Sequence, residues 1–103
     1  MSVQLINEQQ FDEIIPNSAV PVIVDFYADW CQPCKRIAPV LEEISNEAEG
    51  RVVVCKVNVD DNQKLAARFS VMSIPNVISF KNGSVYKRVV GVVPKDELLA
   101  LIE

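Results

Sequence analysis

The sequence predicts an α/β protein in which one mixed sheet is covered on both faces by helices. Strand-like apolar runs alternate with helix-like patterns from the N-terminus onward, in the order βαβαβα. Two further strand-like runs flank Lys81-Asn82-Gly83-Ser84, where Asn-Gly is the strongest short hairpin signal, and a last helical pattern follows. Right-handed crossovers make the first three strands parallel, and the hairpin adds an antiparallel edge.

In chain order, Val3-Gln4-Leu5-Ile6 reads as a short opening strand. Asn7 stands as an N-cap with Gln10 three residues on, a capping-box arrangement. Phe11, Ile14 and Ile15 then give a helix its apolar face, and Pro16 is expected to end it. Residues 21–27 are apolar on both faces apart from Asp25, as in a central strand covered from both sides. A second helix begins near Cys31 with Ile37, Val40, Leu41 and Ile44 on one side. It is expected to run to about Glu49 with Gly50 as C-cap, and to kink at Pro39. The β-branched run 52–59 is the second central strand. Asp60 or Asp61 is placed to cap a third helix carrying Leu65, Ala66 and Phe69. The hairpin strands are residues 76–80 and 85–90. Pro94, at N1, starts a final helix that buries Leu98, Leu99, Leu101 and Ile102.

One hundred and three residues, half of them apolar, suit one hydrophobic core, so a single domain over 1–103 is expected. A net charge of −4 leaves no basic stripe to neutralise phosphates, which argues against nucleic acid as a partner. The absence of histidine removes imidazole acid–base chemistry and most zinc or haem sites. Three cysteines are too few for a disulfide-stapled secreted domain. The first residues show no signal-peptide pattern, and the longest apolar run is broken by Pro21 and Asp25 and too short to span a bilayer. A cytoplasmic protein without a membrane partner is the expectation.

Cys31-Gln32-Pro33-Cys34 falls where the central strand hands over to the second helix. The first N–H groups of a helix lack intrahelical partners, and the peptide dipoles leave a partial positive charge there. Both stabilise a thiolate at Cys31, drawing its pKa from about 8.5 toward neutrality. Cys34, three residues on, shares a face of the first turn at about 5–6 Å, a spacing that lets a disulfide close and reopen with little backbone movement. Pro33 fixes a helical φ and lacks an N–H that the first turn leaves unpaired anyway. A bridge across so short a loop restrains little of the unfolded chain, which disfavours a static structural role. Zinc needs four ligands and only Cys55 remains beyond the pair, so a metal site requires a dimer sharing two pairs.

Asp25 is costly inside an apolar strand unless something uses or pairs it. Alternation places it on one face with Ile23 and Tyr27, where burial raises its pKa. A carboxyl poised near neutrality is able to take the proton of Cys34 as that thiol attacks a mixed disulfide. Lys56, in the neighbouring strand, is its candidate partner, and a plain Asp25–Lys56 ion pair is the alternative reading. Cys55 reads as a small buried apolar residue, with a regulatory thiol as the alternative. Trp30 and Tyr27 are either core aromatics or, for Trp30, a partly exposed docking residue beside the first thiol. Pro75 opens a strand before its ladder begins, and residue physics alone leaves its peptide bond trans.

The run from Asp25 through Trp30-Cys31-Gln32-Pro33-Cys34 to Lys35, followed in order by Pro39, Lys56, Ile74-Pro75 and Phe80-Lys81-Asn82-Gly83, resembles the thioredoxin family across essentially the whole chain. The resemblance implies the thioredoxin fold, a five-stranded sheet flanked by four helices, and reduction of disulfides in client proteins. Electrons would come from NADPH through a separate flavoprotein reductase, with no cofactor held by the chain itself. Carried over position by position, Cys31 would be the attacking nucleophile, Cys34 the resolving thiol, Asp25 the buried proton acceptor and Lys56 the residue that tunes it. Pro75 would be a cis proline facing the disulfide, its missing N–H leaving client backbone pairing to Ile74. Trp30, Ile74 and Gly91 would line a flat apolar patch beside Gln32 and Pro33, on which a client chain lies extended.

Gln32 stands where the family usually has Gly, Asn76 where it commonly has Thr, and Tyr27 where it usually has Trp. Pro33 resembles the reductants of the family rather than its isomerases and oxidants. The expected activity is thiol–disulfide exchange by a monomer. The alternatives are a non-catalytic thioredoxin-fold binding subunit and a specialised redox protein with its own partners.

Overall fold

The computed structural model describes residues 3–103. Strand β1 is Gln4–Leu5, shorter than expected, because Asn7 already turns the chain. Asn7 and Gln10 form the reciprocal capping box at 2.9 Å in both directions and start α1 (Glu8–Asn17). Pro16 lies inside the last turn of α1 rather than ending it. A proline removes only its own N–H bond and lets the terminal residue follow.

Strand β2 (Val22–Tyr27) leads into α2 (Gln32–Glu47), which runs unbroken through Pro39. That helix stops two residues before the expected Glu49. The amide of Ala48 closes it on the Ile44 carbonyl at 2.9 Å, and Gly50, at φ +85°, turns the chain just beyond. Strand β3 (Val53–Asn58) precedes α3 (Gln63–Arg68). Neither Asp60 nor Asp61 caps α3, whose N-cap position belongs to Asn62. The Asn62 side chain accepts from the Glu8 amide at 3.1 Å, while Asp60 accepts from the indole of Trp30. Strands β4 (Asn76–Lys81) and β5 (Ser84–Val90) form the hairpin. Asn82 and Gly83 hold φ of 53° and 82°, the left-handed pair that a two-residue hairpin loop requires. Pro94 sits at the N-cap of α4 (Lys95–Leu99), one position earlier than expected, and the chain closes in a 3-10 turn over Ala100–Ile102.

The sheet order is β1-β3-β2-β4-β5, with the first three of these parallel and β4 and β5 antiparallel. The α/β class and the five-stranded mixed sheet with four helices are therefore those expected. Alternation divides the core in two. Val22, Val24, Phe26 and Ile78 pack with Phe11, Ile15 and Leu65, while Ile23, Val54 and Val77 pack with Ile37, Leu41, Ile44 and Leu98. Asp25, in the same alternation as Ile23, thus lies on the α2 side of the sheet. At the far edge β5 exposes Val85, Tyr86 and Val90 with Lys87 and Arg88 among them.

Candidate redox site

The site is built where β2 and β3 end and α2 begins. A turn, closed by the Cys31 amide on the Ala28 carbonyl at 3.2 Å, sets Cys31 at the N-cap of α2 with φ −88° and ψ 106°. From there its Sγ accepts the amide of Cys34 at 3.2 Å. Cys31 and Cys34 are joined as a disulfide with their Cα atoms 5.3 Å apart. Gln32 and Pro33 occupy the first two helical positions between them, Gln32 exposed and Pro33 half-buried. An N–H aimed at sulfur from a helix terminus is the arrangement that favours a thiolate when the bridge opens.

A segment distant in sequence lies against the Cys31 sulfur. The Ile74 carbonyl lies 3.8 Å from Cys31 Sγ, and the Ile74–Pro75 peptide bond is cis. The trans reading drawn from residue physics alone is therefore wrong, while the resemblance anticipated the isomer. Only about 0.5–1 kcal/mol favours trans before a proline, and tertiary context outweighs it. The Gly91 amide, at φ +88°, donates to the Pro75 carbonyl at 2.8 Å and brings Gly91 beside this segment. Trp30 is 67 % exposed rather than a core aromatic, and its indole N–H donates to Asp60 Oδ2 at 2.9 Å.

Beside Cys34 a cavity of about 190 Å³ is lined by Asp25, Tyr27, Lys35, Ala38 and Lys56, among others. Asp25 is 4 % exposed and its Oδ1 has no hydrogen-bond partner among the described residues. Burial pushes its carboxyl up to about 7, with the Lys56 charge pulling the other way. Asp25 and Lys56 are paired in register on β2 and β3. Among the ion pairs of the described residues, however, no contact joins them, and the Lys56 ammonium lies instead over the Tyr27 ring. Cys55 is fully buried on the opposite face of β3, and burial pushes its thiol up to about 11, an inert apolar role.

Sequence reasoning missed Asn58 and Asp60. Asn58, 8 % exposed, donates to Asp29 Oδ2 at 3.4 Å and accepts from the Asp60 amide at 2.9 Å, tying the end of β3 to the loop that carries Trp30. Their only sequence signal is their place at the end of a central strand and just beyond it.

The family model described as Thioredoxin matches residues 2–103. This chain belongs to the thioredoxin family. It is 47 % identical over 97 residues to a thioredoxin of Haemophilus influenzae, covering 94 % of this chain and 91 % of that one. It is 43 % identical over 98 residues to a thioredoxin of Synechocystis sp., covering 95 % and 92 %. An M-type chloroplastic thioredoxin of Spinacia oleracea is 44 % identical over 101 residues, 98 % of this chain and 56 % of the relative. With the Cys31–Cys34 pair in place, membership makes the chain a thiol–disulfide oxidoreductase acting on disulfide-containing substrates. Among the described residues no helix is long and apolar enough to cross a membrane.

Proposed function

We propose that this member of the family is a general reductant of protein disulfides, working as a cytoplasmic monomer in which residues 1–103 act as one domain. The Cys31 thiolate attacks one sulfur of a client disulfide and expels the other as a thiolate, leaving a mixed disulfide. Cys34 gives its proton to Asp25 and attacks Cys31 Sγ, releasing the reduced client and closing Cys31–Cys34. A separate flavoprotein reductase returns two electrons to the pair. Lys56 tunes Asp25. The client backbone pairs with Ile74, and Pro75, which lacks an N–H, keeps that pairing to one residue. Trp30, Gln32, Pro33 and Gly91 supply the surface on which the client lies.

The observation that carries this reading is the N-cap placement of Cys31 Sγ on the amide of Cys34, whose own side chain borders the Asp25 cavity. Insulin reduction with dithiothreitol as electron source tests it, with Cys31→Ser expected to abolish turnover. Undiminished turnover in that variant removes the nucleophile assignment. A redox titration then separates the roles: a potential of about −270 mV marks a general reductant, and one between roughly −180 and −120 mV an isomerase or oxidant.

A further inference from the structure

Asp25 and Lys56 have every reason to meet. They sit side by side on adjacent parallel strands, at a strand spacing of about 4.8 Å, and line the same cavity. Opposite charges attract more strongly where one of them is buried, as Asp25 is. Yet Asp25 Oδ1 has no hydrogen-bond partner among the described residues, and the Lys56 Nζ is found 5.6 Å from the centroid of the Tyr27 ring. Tyr27 follows Asp25 by two residues on the same face of β2 and forms a wall of that cavity. An aromatic face at this distance attracts an ammonium through its quadrupole.

We propose that Tyr27 is a positioning residue for the proton acceptor, its ring face holding the Lys56 ammonium off the Asp25 carboxylate. The lysine then lowers the proton affinity of Asp25 from a distance and does not neutralise it by contact. An Asp25 locked in an ion pair would stay ionised and accept a proton poorly. The inference rests on the acceptor role proposed for Asp25, but its physical content is the position of Lys56. The other titratable groups facing the cavity are Asp29 from the loop after β2 and Cys34 and Lys35 from α2.

The test follows the Asp25 side-chain carboxyl by carbon NMR titration of the oxidised protein, in which neither Cys31 nor Cys34 titrates. Tyr27→Leu removes the π-face while keeping an apolar cover. We expect its Asp25 midpoint to fall by about one pH unit or more as Lys56 closes on the carboxylate. Tyr27→Phe keeps the face and is expected to titrate like the parent. In a Lys56→Met background, Tyr27→Leu is expected to produce no fall. An equal fall with and without Lys56 would show that the ring merely shields Asp25 from water, and an unchanged midpoint in Tyr27→Leu would show that it holds nothing; either overturns the proposal. The parent protein supplies a second measurement that survives failure of the leucine variant to fold. The Lys56 Hε protons are expected upfield of random coil by ring current, and unshifted resonances overturn the proposal as well. Insulin turnover of Asp25→Asn reports separately on the acceptor role, so the two readings fail by different observations.

Discussion

The backbone N–H of Cys34 points at Cys31 Sγ across 3.2 Å, so the sulfur proposed as the nucleophile is addressed by the helix it precedes. In the reduced protein that donor and the helix terminus stabilise the thiolate. Cys31 is therefore expected to react with iodoacetamide at pH 7 roughly five- to tenfold faster than glutathione does, since thiolate fraction rises faster than nucleophilicity falls. Stopped alkylation with mass mapping measures it, and a glutathione-like rate would count against the helix-terminus argument.

Asp25 makes the protein less stable at neutral pH than it would be without the charge. Its folded carboxyl titrates at about 7 against 3.8 in an unfolded chain. Between those values the unfolded state has already lost its proton while the folded state keeps it, so stability falls as pH rises through that window and levels off above it. The effect amounts to roughly 4 kcal/mol. Asp25→Asn lacks this dependence. Urea melts at pH 3.5 and pH 8 should show the variant gaining on the parent by about that amount, and a pH-independent difference would contradict the burial argument. The same substitution should slow insulin reduction at pH 7 by roughly tenfold or more.

Cys55 should remain silent in the folded protein. It is fully buried with its thiol pushed up to about 11. Mass spectrometry after iodoacetamide treatment of the reduced protein at pH 7.5 should find label on the active-site pair and on Cys55 only after unfolding. Cys55→Ser places a hydroxyl in an apolar core and should cost about 1–3 kcal/mol.

The indole–carboxylate bond between Trp30 and Asp60 holds an exposed aromatic in one orientation. Asp60→Ala releases it. Steady-state kinetics with a protein client should show KM rising by about threefold or more, with kcat moving far less. A fall confined to kcat would mean that the bond serves the chemistry and not docking.

What could be read from the residues was whatever short stretches decide for themselves. The Val22–Tyr27 run, the cysteines at its end, the Asn7–Gln10 box and the Asn82-Gly83 turn each carry their structure within a few positions, and each appears where expected. Features settled by distant partners did not show. Asp60 looked like the cap of α3, but Trp30, thirty residues earlier, claims its carboxylate. The isomer of Pro75 depends on a loop packed against Cys31 and anchored by Gly91. The cavity around Asp25 draws its walls from β2, α2 and β3, so its shape and the displaced Lys56 were beyond any local pattern.

The margins of the sheet carry a consequence for life in a crowded solution. One border strand offers only two residues, Gln4 and Leu5, too little to template a neighbour. The other is long and partly greasy, yet a foreign strand annealing along it would have to desolvate Lys87 and Arg88. Growth from molecule to molecule into fibres is opposed at both ends, which leaves the molecule free to meet others by its sulfur-bearing end.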